Sequence, residues 1–172
     1  FALIHRMIVE RNWRDTCDVK FLKEDTTSPY LVGPNGYYLR DAETRKPLIQ
    51  DLSDGATKVW NEDIGDAALE GVFNVIGLEE GPDGQVWEHD GVDAKTAFQL
   101  FLDHMAQFDP DWAEGECEVS ADKIRQVADE VWDGTCPGAP RECAQKVLCV
   151  CWVIHEHAPS SLLSKRYSSC RL

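Results

Sequence analysis

Hydrophobic positions recur along this chain with two periods, and the changes from one to the other predict its elements. In FALIHRMIVERNW, Leu3, Ile4, Met7 and Ile8 fall at helical spacing while Arg6, Glu10 and Arg11 take the other side. That predicts an amphipathic helix with no capping residue before it. Asp15 or Thr16 is expected to cap a second short helix, CDVKFLKED, burying Val19, Phe21 and Leu22. The period then drops to that of strands. Tyr30-Leu31-Val32 and Tyr37-Tyr38-Leu39 flank Gly33-Pro34-Asn35-Gly36, and Asn-Gly tolerates positive φ, so a β-hairpin is expected. Short strands are expected at Leu48-Ile49, Lys58-Val59-Trp60 and Gly71–Val75, with a turn at 81–84 before Val86-Trp87. From Ala94 the helical period returns. Ala94, Ala97, Phe98, Phe101, Met105 and Phe108 form one stripe, with Lys95, Gln99, Asp103 and Gln107 on other faces. Pro110 is placed to open a further helix, and Ser120 to cap one in which Ile124, Val127, Ala128 and Val131 share a face. The expected fold class is therefore mixed α+β, with amphipathic helices around a patch of short strands and a β-hairpin. No internal repeat is visible.

Composition narrows the function classes. The chain has 172 residues, 43% hydrophobic and 28% charged, within the range of soluble globular proteins. No apolar run approaches the roughly 20 residues that span a bilayer, so no membrane insertion by this segment is expected. No secretory signal is visible, and the start at Phe1 suggests a processed chain or one cut from a longer one. The formal charge of −14 speaks against nucleic acid and against anionic membrane surfaces, because both would repel it. The charge is uneven. Residues 1–132 hold 28 acidic and 12 basic side chains, whereas residues 133–172 hold 3 and 5. Cysteine shifts at the same place: Cys17 and Cys117 lie in the long part, and Cys136, Cys143, Cys149, Cys151 and Cys170 in the last forty residues. Seven is odd, and without a secretory signal these read mostly as reduced thiols. Two regions are expected, 1–132 and an atypical Cys-rich tail at 133–172.

Four stretches, in order, carry a family resemblance. FALIHRMIVERNWRDTCDVKFLKEDT looks like a helix followed by a D-x-x-F-L/V-x-x-x-T pattern, and SPYLVGPNGYYLRDAETRKPLI like a P-F/Y-L-V … G-x-x-L-R hairpin. GVDAKTAFQLFLDHMAQFDPDW and AEGECEVSADKIRQVADE look like the helix pair that follows. Together they resemble the central part of the catalytic subunit of molybdopterin-dependent oxidoreductases, the dimethyl-sulfoxide-reductase family, closest to formate-dehydrogenase-like and thiosulfate-reductase-like members. The resemblance covers roughly residues 1–131. It implies a parent enzyme that uses bis(molybdopterin guanine dinucleotide) with molybdenum or tungsten and a [4Fe-4S] cluster. It also implies two kinds of partner: the remainder of the catalytic subunit and an iron–sulfur electron-transfer subunit. The family's cluster cysteines, its metal-ligating residue and its Pro-Gly-Thr-Asp-like pterin loop would all fall before Phe1, and its C-terminal cofactor domain beyond Leu172. No catalytic, cofactor-binding or metal residue is therefore expected on this chain. The first helix is implied to hang just below the pterin loop. The tail from Val131 onward departs from the family, and an aberrant end such as a frame change is the favoured explanation.

Candidate chemistry outside the resemblance is thin. CPGAPRECAQKVLCVCWVIHEH offers Cys136, Cys143, Cys149, Cys151, His155 and His157, but its cysteine gaps of six, five and one lack the C-x₂₋₄-C knuckle of structural zinc sites. His155-Glu156-His157 lacks the i,i+4 histidines of a metalloprotease helix. The five carboxylates of DPDWAEGECE have neither glycine at the sixth place nor glutamate at the twelfth, as an EF-hand loop needs. His5 and His104 read as packed or surface histidines, and Cys17 and Cys117 show no activating neighbour. The glycine turns at 33–36 and 81–84 match no phosphate loop. Trp60, Trp87, Trp112 and Trp132 read as core or half-buried anchors. Three functions follow: an oxidoreductase fragment that is scaffold and inert alone, a small binding module with a zinc- or contact-forming tail, or a gene remnant. The first is favoured.

Overall fold

The computed structural model describes residues 1–134. It is a mixed α+β fold, as the alternation of periods predicts. The helices are α1 (Ala2–His5), α2 (Trp13–Thr16), α3 (Val19–Glu24), α4 (Ala97–Met105), α5 (Pro110–Cys117) and α6 (Ala121–Gly134). The strands are β1 (Leu31–Val32), β2 (Leu48–Gln50), β3 (Thr57–Val59), β4 (Val72–Glu80) and β5 (Val86–Thr96). Residues 133 and 134, the first two of the expected tail, continue α6, and the rest of that tail lies outside the described residues.

The helices from the two ends of this region close on one core. Met7, Ile8, Trp13, Cys17 and Leu22 meet Phe98, Phe101, Met105 and Ala128 there, with Leu69 joining them from the connection before β4. Phe98, Phe101 and Met105 of α4 and Ala128 of α6 face this core, whereas Ile124 of the α6 stripe packs in a separate cluster with Ala2 and Ala113. The first helix differs. After Ala2–His5 it widens into a π-helical turn, Arg6–Glu10, which rotates the buried face. Ala2, His5, Met7 and Ile8 are buried while Leu3 is left exposed. Arg6 and Arg11, expected on the open side, instead clasp Asp129 of α6 at 3.1 Å each.

Caps set the helix starts. Asp18, not Asp15 or Thr16, caps α3 by accepting from the Phe21 N–H at 3.0 Å. Thr16 is occupied elsewhere, its hydroxyl donating to the Met7 carbonyl at 2.8 Å. Pro110 is in the first turn of α5, which Asp109 caps, and the Ser120 hydroxyl accepts from Lys123 N–H at 3.3 Å to open α6. Thr96 caps α4, so the helix begins at Ala97. Ala94 and Lys95 are strand residues, not the first turn of a helix.

The sheet is antiparallel in the order β1-β5-β4, and β2 pairs antiparallel with β3 beside it. The expected hairpin is present as a tight loop: Gly33 N–H donates to the Tyr37 carbonyl at 2.9 Å and Leu39 N–H to the Leu31 carbonyl at 2.8 Å. Arg40 then crosses to the outer edge of β4 and exchanges both backbone bonds with Leu78, at 2.8 and 2.9 Å. Leu31, Leu39, Leu48, Val75 and Ala94 form the core under this sheet.

β5 is far longer than Val86-Trp87 alone. Its register against β4 runs Trp87–Glu79 and His89–Gly77, then jumps to Val92–Val75 and Ala94–Phe73, leaving Gly91 unpaired. Gly91 has φ +92°, a backbone state that glycine adopts without a Cβ penalty, and it forms a β-bulge. Before the bulge the odd positions Trp87 and His89 point inward. After it the even positions Val92, Ala94 and Thr96 do.

Candidate functional site

Two carboxylates, Asp51 and Glu79, are both fully enclosed, and each organises a loop. A buried carboxylate is costly unless donors surround it, so the partners show what each one does.

Glu79 projects from the inward face of β4, in phase with Phe73, Val75 and Gly77. Its Oε1 accepts from the backbone N–H of Asn35 at 3.2 Å and of Tyr37 at 3.1 Å. Its Oε2 accepts from the Asn35 side-chain amide at 2.8 Å and contacts His89 Nε2 at 2.8 Å. The 33–37 loop therefore folds over the carboxylate as a lid of donors. The loop can lie this close only because residue 33 is glycine: a Cβ there would collide with the Glu79 carboxylate. Tyr37 and Trp87 stack beside the knot with ring centroids 5.9 Å apart and planes 9° from parallel.

Asp51 follows β2 and opens the loop DLSDG. Its Oδ1 accepts from Ser53 N–H at 2.9 Å, Ser53 hydroxyl at 2.7 Å and Asp66 N–H at 2.9 Å. Its Oδ2 accepts from Gly65 N–H at 2.8 Å and from Lys58 Nζ at 2.7 Å. Lys58 also reaches Asp54 at 2.7 Å and the Asp63 carbonyl at 3.1 Å, so its ammonium is the internal cation of residues 51–66. The Lys58 ammonium, then the Ser53 hydroxyl and N–H, hold the Asp51 carboxyl well below the usual carboxylate range, against the opposing effect of burial. The same pairing, with Asp54 added, raises Lys58.

The sign of the pH effect follows. A carboxyl with a depressed folded pKa stabilises the fold above its unfolded value near 3.9, and that contribution is lost as pH falls below about 4. Acid titration followed by tryptophan emission, to which Trp60 contributes from beside this loop with its backbone N–H on the Pro47 carbonyl, is expected to show a transition starting below about pH 4. Asp51→Asn should shift that emission already at pH 7. An acid transition unchanged in the variant would contradict the assignment.

Neither knot leaves an oxygen facing outward for a ligand, so both are anchors. Sequence reading missed them, although a signal existed for each. Glu79 continues the period-two phase of Phe73 and Val75, and Asp51-x-Ser53 is an Asx-turn pattern.

The residues singled out from sequence are scattered. His5 is buried with Nδ1 unpartnered, while His104 is exposed and packs edge-on against Phe108 at 5.0 Å. Cys17 is in the helical core and Cys117 is exposed. Asp109 of the acidic stretch is the α5 cap, accepting from Trp112 N–H at 2.6 Å. Trp87 and Trp132 are half-buried as expected, but Trp60 and Trp112 are exposed, at 48% and 44%. Among the described residues the tryptophan buried in the core is Trp13, whose indole N–H donates to Glu70 at 2.8 Å. Cys136 through His157 lie outside the described residues. Among the described residues, no group of three or more His, Cys, Asp or Glu side chains is arranged to hold a metal ion, and no helix is long and apolar enough to cross a membrane. In comparisons with known proteins, no family model matches the chain and no curated protein matches it.

Proposed function

We propose that this chain is the central scaffold segment of a molybdopterin-dependent oxidoreductase catalytic subunit, inert alone, whose cofactor is gripped by other parts of that subunit. The observation that carries the reading is the order of the four resembling stretches between Phe1 and Val131. Their packing supports it. The first stretch and the last two supply opposite sides of one helical core, and the second supplies the loop that covers Glu79. The two enclosed carboxylates also support a positioning role, since both spend their oxygens on the chain's own donors.

No ligand of molybdenum, tungsten or an iron–sulfur cluster is assigned to the described residues in this reading. No chemical step is assigned to them. In an intact subunit the cofactor would carry the electron chemistry, and this region would supply support beneath it.

The test is to read the coding DNA on both sides of this chain in every frame, together with metal analysis of the purified polypeptide. Upstream, a cysteine set and a metal-ligating Cys, selenocysteine or Ser are expected. Downstream, a pterin-binding domain is expected, with family-like sequence resuming in another frame at the tail. The polypeptide itself should hold no pterin-bound metal. Flanks without these features would overturn the reading. So would stoichiometric zinc without pterin, which would favour a binding module built on the Cys-rich tail.

A further inference from the structure

The outer edge of β4 is where the backbone has bonding groups to spare. In an antiparallel ladder, alternate residues direct both N–H and C=O toward one neighbour. Leu78 directs both toward Arg40, away from β5, so Val72, Asn74 and Ile76 direct theirs the same way. Among the described residues no strand or bridge meets this edge from Val72 to Ile76. The side chains there are also open: Val72 is 56% and Ile76 71% exposed. The run Val72–Gly77 carries no charge, so it lacks the lysine, proline or inward charge that commonly protects an edge strand. The bulge lies on β5 and leaves this edge regular.

We propose that the Val72–Ile76 edge of β4 pairs antiparallel with the same edge of a second copy of this chain, about a two-fold axis at Asn74. The run is complementary to itself in that register alone. Val72 of one copy faces Ile76 of the other, Asn74 faces Asn74, and all three residues on each edge find backbone partners. Centring on Ile76 would drive Asn74 against Leu78, whose edge Arg40 already fills. Centring on Val72 would set Asn74 against Glu70 and leave Ile76 beyond the apolar run. In the Asn74 register no carboxylate meets its equivalent, because the two-fold axis sets Asn74 alone against itself. Asn74 is held in place by its amide donating to Asp93 at 3.1 Å. Two three-stranded sheets thus become one of six strands, a closed pair rather than a fibre, since among the described residues each copy has one such edge segment and uses it once. The formal charge of −14 on each copy opposes the contact, so association strengthens with salt.

Sedimentation equilibrium of the full chain, over a wide concentration range at low and high salt, tests this. The expected result is a reversible rise from 19.4 kDa toward twice that mass, favoured by salt. Ile76→Lys should weaken association roughly tenfold or more, because the two-fold axis places the change in the contact twice. At its exposed position the substitution should leave the thermal midpoint in place when the two chains are compared at a dilution where both are monomeric. In parallel, hydrogen exchange at the Val72, Asn74 and Ile76 amides should slow as concentration rises. A chain that stays monomeric at every concentration would overturn the proposal, whether residues beyond 134 or another protein covers the edge. An association indifferent to Ile76→Lys, or one without concentration-dependent protection of those three amides, would do so as well.

Discussion

Met105→Ala is expected to lower the unfolding free energy by about 3 kcal/mol, within the range for emptying a fully enclosed aliphatic site. Met105 has no exposed surface and belongs to the core that joins the N-terminal helices to α4 and α6. Its side chain is unbranched and fills an irregular gap between elements far apart in sequence, so neighbours cannot collapse into the space without moving a helix. For a domain whose total stability is of order 10 kcal/mol, such a loss is large. Urea denaturation should show a lower midpoint at unchanged slope. Leu100→Ala, five residues earlier and 39% exposed, is the control and should stay within about 0.5 kcal/mol. Equal effects at the two positions would mean that the helical layer does not close around Met105.

The second large effect is expected at Glu79. Glu79→Ala should cost about 3 kcal/mol, because it removes an acceptor and leaves enclosed donors unpaired. The donors are the Asn35 and Tyr37 N–H groups, the Asn35 amide and His89. Glu79→Gln should cost less. One carbonyl oxygen can still accept from the two backbone N–H groups, whereas its new amide opposes that of Asn35. Hydrogen exchange gives a local readout, with the Asn35 and Tyr37 amides exchanging faster in both variants and most in Glu79→Ala. Protection unchanged at those amides would show that the loop is held by something else.

How far the fold was legible from sequence depends on what each element answers to. α4 and α6 were legible because each turns an apolar stripe inward, and periodicity records that directly. The first helix was legible as a helix but not in its buried face, since the π-helical turn at Arg6–Glu10 inserts a residue that a 3.6 period cannot anticipate. The start of α4 was misjudged because Ala94 suits the inward face of a strand as well as a helix stripe. Only the Thr96 cap, made by the tertiary position of β5, decides between them. The tryptophans were misjudged for a related reason. Residue type says that a side chain can be buried, while Trp13 is enclosed and Trp60 exposed by what happens to lie across from each. The two carboxylate knots were least legible. Near donors such as Ser53 belong to a local turn, but the rest come from up to 44 positions away, as Gly65 to Asp51 and Asn35 to Glu79 show, and no local pattern reports such a distance.

The bulge at Gly91 gives β5 the action of a gearbox. Below it, odd positions engage a polar lock in which Trp87 and His89 serve the lid over Glu79. Above it, even positions engage an oily seam through Val92 and Ala94. One ribbon thus drives two chemically unlike chambers, and the clutch between them is one residue without a side chain. The length of the segment between Glu88 and Val92 is accordingly as much a part of the design as the identity of any residue in it.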